Sequence, residues 1–211
     1  FSDVYAIKIS GKYAYDYLYY ESDTLIQKLK NKYMLHDVYI SSANLFNILP
    51  SWTANISADF QWNKMNANLV EFIYPQRYST WVAVATSLDL DRVKIQGSLL
   101  GTFVHESTKE DKKDIQRDWD KITPTLMASW QPWSRENLFL RAFYKNIFRM
   151  PTFTEMHMAY MGTLSSYLKP EFTKQYNLGF VYSKNINSSF FLEGQVDAYY
   201  NEVTDKLLAI P

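Results

Sequence analysis

From Trp52 to Asn63 the chain alternates without a break. Trp52, Ala54, Ile56, Ala58, Phe60 and Trp62 fall on one side, and Thr53, Asn55, Ser57, Asp59, Gln61 and Asn63 on the other. Successive side chains of a strand point to opposite faces, so this run is a β-strand with one apolar face, one polar face and an aromatic ring at each apolar end. The pattern recurs. From Tyr5 to Tyr19 the odd positions hold Tyr5, Ile7, Ile9, Gly11, Tyr13, Tyr15, Tyr17 and Tyr19, while the charges Lys8, Lys12 and Asp16 are all even. Ile95 and Leu99 oppose Lys94, Gln96 and Ser98; Leu126, Ala128 and Trp130 oppose Thr123, Thr125 and Gln131. Leu138, Leu140, Ala142 and Tyr144 oppose Arg141 and Lys145; Tyr176, Leu178, Phe180 and Tyr182 oppose Gln175 and Asn177. Phe190, Leu192, Val196, Ala198 and Tyr200 oppose Glu193, Gln195, Asp197 and Asn201. Val38–Leu49 and Ser79–Leu90 also read as strands, without a clear assignment of faces. The count is about nine strands.

The connections alternate in length. Short ones fall at Leu49–Ser51, Leu90–Arg92, Pro132–Glu136 and Asn185–Ser188; long polar ones fall at Glu21–Lys32, Ala67–Tyr78, Glu106–Lys121 and Arg149–Glu171. Tight turns at one end and long loops at the other are the pattern of an outer-membrane barrel. A strand of about 15 residues spans roughly 50 Å, more than the 9–11 tilted residues that cross a bilayer, so the strands are expected to project beyond it. Rings at strand ends, such as Trp52 and Trp62, fit interfacial girdles. The competing reading is a soluble one-sided sheet whose apolar face packs on a core.

Composition narrows the classes. Aromatics make up 17% of the 211 residues, which excludes disorder. The longest uncharged stretch, Val38–Ala58, is broken by Ser41, Ser42, Asn44, Asn47, Pro50, Ser51 and Asn55, so it is no transmembrane helix. Lys plus Arg and Asp plus Glu both number 22, a balance that argues against a nucleic-acid partner. With no cysteine, disulfides, thiolate ligands and cysteine nucleophiles are excluded. His36, His105 and His157 are too scattered for a zinc site. Glu106, Asp111 and Asp114 lack the apolar shielding that tunes a catalytic carboxylate pair. Gly97 and Gly101 lie on a strand rather than after one, so no phosphate-cradling loop is read there. Phe1 opens directly into strand-like alternation with no leader pattern, and the chain is expected to be a piece of something longer.

At Phe148–Tyr182 the sequence FRMPTFTEMHMAYMGTLSSYLKPEFTKQYNLGFVY resembles a signature of TonB-dependent outer-membrane receptors. The residues that carry it are Phe148, Arg149, Pro151, Thr152, Phe153 and Glu155, then Leu168, Lys169, Pro170, Glu171, Tyr176, Gly179 and Tyr182. Tyr200, Asn201, Val203, Asp205, Lys206, Ile210 and Pro211 resemble the loop after the next strand in Bacteroidetes-type members. The resemblance implies an all-β, antiparallel up-and-down meander of about nine long strands, a segment of a 22-stranded transmembrane β-barrel. Residues 1–211 would be part of that barrel domain, without plug domain or C-terminal strands. It further implies bacterial outer-membrane location and TonB-coupled import of a scarce ligand such as a ferric siderophore, haem or cobalamin, which breaks no bond, so no enzyme activity, catalytic residue or cofactor is expected. The implied partners are TonB (through the plug), outer-membrane lipid and the imported small molecule or metal chelate. A passive channel, an adhesin barrel and a soluble single-sheet module stay open as alternatives.

Candidate ligand contacts cluster in three places. Tyr74 and Arg77, with Phe72 and Tyr78 nearby, suit ring stacking and cation–π contact, or simply loop packing. Arg141, Lys145 and Arg149 share a polar face and form either a positive ladder toward an anionic ligand or pairs with acids such as Glu193 and Asp197. Glu155, Met156, His157, Met158 and Tyr160 crowd one loop; a histidine among thioethers suits haem iron or copper, while methionines also fill irregular packing. No metal site is assigned. The mixed-charge run from His105 to Lys121 is expected to be a solvated loop.

Overall fold

In a computed structural model of the chain, residues 4–23, 28–69, 72–110, 113–157, 168–187 and 190–206 are described. They form nine strands: β1 Tyr5–Asp23, β2 Lys28–Leu49, β3 Trp52–Ala67, β4 Gln76–Leu90, β5 Val93–Glu110, β6 Lys113–Trp130, β7 Asn137–Arg149, β8 Glu171–Asn187 and β9 Phe190–Thr204. One short helix, α1 Phe153–His157, lies between β7 and β8. Each strand pairs with the next, in the order β1 to β9, as one open antiparallel sheet.

The register resolves the faces that alternation leaves open in β2 and β4. Asn44, Ile56, Val84, Leu99 and Pro124 stand in one cross-strand row, and Leu45, Asn55, Ala85, Ser98 and Thr125 in the next. Even positions of β2, β3, β4, β6, β7, β8 and β9 therefore share a face with odd positions of β1 and β5. That face is the apolar one, and among the described residues no layer of protein covers it. Ile56, Val84, Leu99, Leu126 and Leu178 are 46–67% exposed. Burying such a side chain is worth about 1.5–3 kcal/mol, so a water-soluble fold would not leave a whole sheet face of them bare. The reading of a soluble sheet packed on its own core fails here.

The ten residue steps from Trp52 to Trp62 cover roughly 33 Å along the strand, or about 25 Å at a tilt near 40°, the height of a barrel's apolar band. Rings mark both limits. Trp52 and Trp130 stand near the short turns, with Trp52 Nε1 donating to Thr86 Oγ1 at 2.9 Å. Toward the other end Phe60 and Tyr78 lie 6.4 Å apart, Tyr78 and His105 6.3 Å, and Tyr144, Tyr176 and Tyr200 form a ladder at 5.0 and 6.1 Å.

Two expected long loops are strand instead. β1 and β2 stay paired to Asp23↔Lys28, and β5 and β6 to Glu110↔Lys113. The charges that made these stretches read as solvated loops balance one another across the hairpins. Glu21 meets Lys30 at 3.1 Å and His105 meets Asp118 at 2.6 Å. The long connections that remain follow β3 and β7. β6 pairs with β7 only from Trp130↔Leu140 to Thr125↔Lys145. The ladder stops where Pro124, which has no N–H to give, enters β6.

The buried apolar cluster among the described residues sits at the long-connection end of the polar face. Tyr33, Met65, Ala67 and Phe72 come from β2, β3 and the connection after it; Phe153 and Met156 come from α1.

Candidate functional site

The segment after β7 is shaped by its own sequence. Pro151 cannot extend the ladder, and Thr152 then caps α1. The Thr152 amide donates to Glu155 Oε2 at 2.8 Å, the Glu155 amide donates to Thr152 Oγ1 at 3.2 Å, and the Met156 amide donates to the Thr152 carbonyl at 3.1 Å. This reciprocal pair is a capping box. Arg149 Nη2 donates to Glu155 Oε1 at 2.5 Å, tying the turn to the end of β7. Partial desolvation raises the Glu155 pKa, but the Thr152 amide and the Arg149 guanidinium outweigh it and hold the carboxyl below the usual glutamate range. A depressed carboxyl contributes stability above its unfolded pKa, near 4.3, and loses it as pH falls through the folded value. We therefore expect hydrogen-exchange protection of the 153–156 amides to fall as pH drops below about 4.3, and the Glu155→Gln variant to lose that pH dependence.

Beneath the turn lies a buried ion pair. Arg77 on β4 and Glu106 on β5 are register partners on the polar face, 7% and 1% exposed. Arg77 Nε and Nη2 donate to Glu106 Oε2 at 2.8 and 2.6 Å, and Nη1 donates to the Pro151 carbonyl at 2.7 Å. The guanidinium also stands 4.8 Å from the centre of the Phe153 ring. Glu106 Oε1 is buried without a hydrogen-bond partner among the described residues. The first part of the β7–β8 connection, residues 150–157, thus lies over the polar face and is latched three strands away, on β4.

Farther from the mouth, Arg141 Nη2 reaches over β8 to the carboxylate of Asp197 on β9, at 3.2 and 3.3 Å. Gly179 stands between them in the register. A Cβ there would lie 2.1 Å from Asp197 Oδ1 and 2.7 Å from the Val196 carbonyl oxygen, so only glycine leaves the path open. Beside this bridge is a polar-face groove of about 440 Å3, lined by Lys94, Gln96, Met127, Arg141, Phe143 and Asp197 among others. Gly179→Ala is expected to break the bridge and cost about 1–3 kcal/mol. Gly97→Ala, whose Cβ would meet nothing nearer than 3.9 Å, should be close to neutral. Thermal melts of the two variants check both.

The sequence-derived contacts divide accordingly. Tyr74, at φ 43°, is exposed in the connection before β4 and stands edge-on to Phe72 at 5.4 Å. Arg77 is engaged inside the latch, and Met156 fills the cluster around it. Arg141 has Asp197 and Arg149 has Glu155, the charge-pairing alternative to a free positive ladder. Lys145 lies on the polar face between Thr125 and Gln175. His157 ends α1, while Met158 and Tyr160 lie outside the described residues. Among the described residues no three or more His, Asp or Glu are grouped to hold a metal. Sequence reasoning missed Glu106 as the partner of Arg77. Only the register of β4 on β5 brings the two together.

An open sheet with its apolar face outward, ring belts at both limits of that face and paired charges opposite is a stretch of outer-membrane β-barrel wall. Residues 74–211 match the family described as TonB-dependent receptor-like, β-barrel, and the chain belongs to that family of outer-membrane proteins. No curated protein matches the sequence. Among solved structures, the copper transporter OprC superposes with a TM-score of 0.78 at 12% identity, over 96% of this chain and 37% of that one. The iron transporter FrpB from Neisseria meningitidis (F5-1 variant) gives 0.66 at 12% identity, over 92% and 33%. The Serratia marcescens hemophore receptor HasR, solved as a double mutant with its hemophore HasA and heme, gives 0.61 at 15% identity, over 95% and 40%. The chain thus spans 33–40% of the length of these three structures.

Proposed function

We propose that this chain is part of the barrel wall of a receptor that imports a scarce metal or metal chelate across the outer membrane, driven by TonB through a plug domain outside this stretch. The observation that carries the reading is the start of the β7–β8 connection, residues 150–157, latched on the polar face by Arg77 and Glu106. A connection held across the interior suits a selective receptor better than an open pore. The likeness to a copper transporter, an iron transporter and a heme-bound hemophore receptor supports a metal, a ferric chelate or haem as cargo. Cobalamin rests on the sequence resemblance alone. In this reading Lys145, Arg149, Glu155, His157, Met158 and Tyr160 are the residues that contact the ligand, while Arg77, Arg141 and the buried Met156 hold the frame. No bond is broken, and no cofactor is called for.

The test is uptake by cells carrying the full-length protein or a deletion, with labelled ferric siderophore, haem, copper and cobalamin supplied separately. Energy-dependent uptake of one cargo, lost on deletion and on collapse of the proton gradient, is the expected result. Uptake that survives collapse would make the barrel a passive channel.

A further inference from the structure

Beyond the inward-facing site, the outer face carries a second pocket. One pleat past the ring belt, the outward positions turn polar on three adjacent strands: Trp62 is followed by Lys64, Tyr78 is preceded by Gln76, and His105 is followed by Ser107. The next outward positions are Asn66 on β3 and Lys109 on β5. With Tyr74 and Asp114 these residues line a pocket of about 340 Å3, within the range of roughly 300–1,000 Å3 usual for small-ligand sites. Its rim is fixed by the backbone. The Met65 amide donates to the Pro75 carbonyl at 3.0 Å and the Lys109 amide to the Ile73 carbonyl at 2.6 Å, so the connection carrying Tyr74 is clamped between β3 and β5.

The chemistry of the lining is one-sided. Two ammonium groups, two side-chain amides (that of Gln76 also donating to the Tyr78 hydroxyl) and the hydroxyls of Tyr74, Ser107 and Thr108 offer donors, and Asp114 is the single acid. Among the described residues neither Lys64 nor Lys109 makes an ion pair, although Asp114 is the register partner of Lys109. β3 and β5 are separated by β4 alone, about 10 Å between backbones, so both lysine side chains can reach one group between them. The position fixes what that group can be attached to. Aromatic belts sit at headgroup level, and the long connections of such barrels face the cell exterior, so the pocket opens sideways into the headgroups of the outer leaflet. Clusters of lysine at that depth hold anionic headgroups.

We propose that Lys64 and Lys109, with Asn66, Gln76 and Ser107, bind the phosphate of an outer-leaflet lipid. The lipid staples β3, β4 and β5 together from outside, two of which, β4 and β5, the Arg77–Glu106 latch ties from inside. This holds whichever cargo the barrel imports.

The test uses the full-length protein purified from its outer membrane and native mass spectrometry. The probes are phosphorylated glycolipid extracted from that membrane, the same lipid after phosphatase treatment, and inorganic phosphate alone. Expected are retention of the phosphorylated lipid, little retention of the treated one, and no displacement by inorganic phosphate. The Lys64→Gln/Lys109→Gln double variant should retain about tenfold less or lower still, since each lysine near an anionic surface is worth about a fivefold factor. Lys64→Arg/Lys109→Arg should behave as wild type, and Asp114→Asn should retain more, which keeps the test open if the glutamine pair folds poorly. Equal retention by wild type and the glutamine variant, or retention of the phosphatase-treated lipid, overturns the proposal. Displacement by inorganic phosphate assigns the pocket to free phosphate and overturns the lipid.

Discussion

Glu106→Ala is expected to destabilise the mouth by about 3–5 kcal/mol, because it strands the Arg77 guanidinium in a buried site with no counter-charge. Arg77→Met should cost a similar amount, leaving Glu106 charged and 1% exposed while also dropping the 2.7 Å bond to the Pro151 carbonyl. The double variant Arg77→Met/Glu106→Leu should recover most of the loss, since apolar side chains of similar volume often match or exceed a buried pair. What it should not recover is the anchoring of α1, which hangs on Arg77 through Pro151 and Phe153. Global unfolding and hydrogen exchange at 153–156 therefore separate in the double variant. The first returns toward wild type and the second stays fast. Additive single-variant costs would mean that the two side chains are not coupled, contrary to their bond lengths of 2.6 and 2.8 Å.

The second large effect is on the apolar face. Ile56 lies between Trp52 and Trp62, near the middle of the band, and is 46% exposed. Ile56→Arg should cost about 2–4 kcal/mol in a bilayer, as arginine does at the midplane of a barrel's outer face. Val84→Arg, in the same row, should do likewise. The control is one residue away: Asn55→Arg faces the interior and should be tolerated. In water the ranking would be different, because an exposed isoleucine replaced by arginine usually costs within about 0.5 kcal/mol. Refolding into lipid vesicles under denaturant gives both numbers.

The strands were legible where alternation was clean. β3 reads correctly from sequence because every polar residue from Thr53 to Asn63 faces inward. β2 does not, because Ser42 and Asn44 sit on the apolar face, where Asn44 accepts from the Tyr5 hydroxyl at 2.7 Å and donates to the Ile56 carbonyl at 3.3 Å. β4 fails for the same reason, with Thr86 satisfied by Trp52 and the Thr53 carbonyl while Trp81 and Ala83 face inward. A polar residue whose bonds are met locally leaves no trace in a hydrophobic pattern. The hairpin tips were misread because opposite charges that balance across strands look, in one dimension, like a solvated run. Thr152 and Glu155 were visible as part of the FRMPTF resemblance, and their roles as cap and counter-cap follow from their spacing. The latch was not legible, since Arg77 meets Glu106 across 29 residues and Pro151 across 74.

The chain carries no cysteine, which opens the most direct test of its central claim. Single cysteines placed at positions 56, 57, 83, 84, 99, 100, 126 and 127 of the full-length protein in its membrane would be spin-labelled one at a time. Accessibility to oxygen, which concentrates in lipid, would then be compared with accessibility to a water-soluble nickel chelate. The account predicts that labels at 56, 84, 99 and 126 meet oxygen and those at 57, 83, 100 and 127 do not, a strict alternation within each strand. Equal accessibility to the water-soluble relaxant at both sets would contradict it, and the sheet would not be the wall of a barrel.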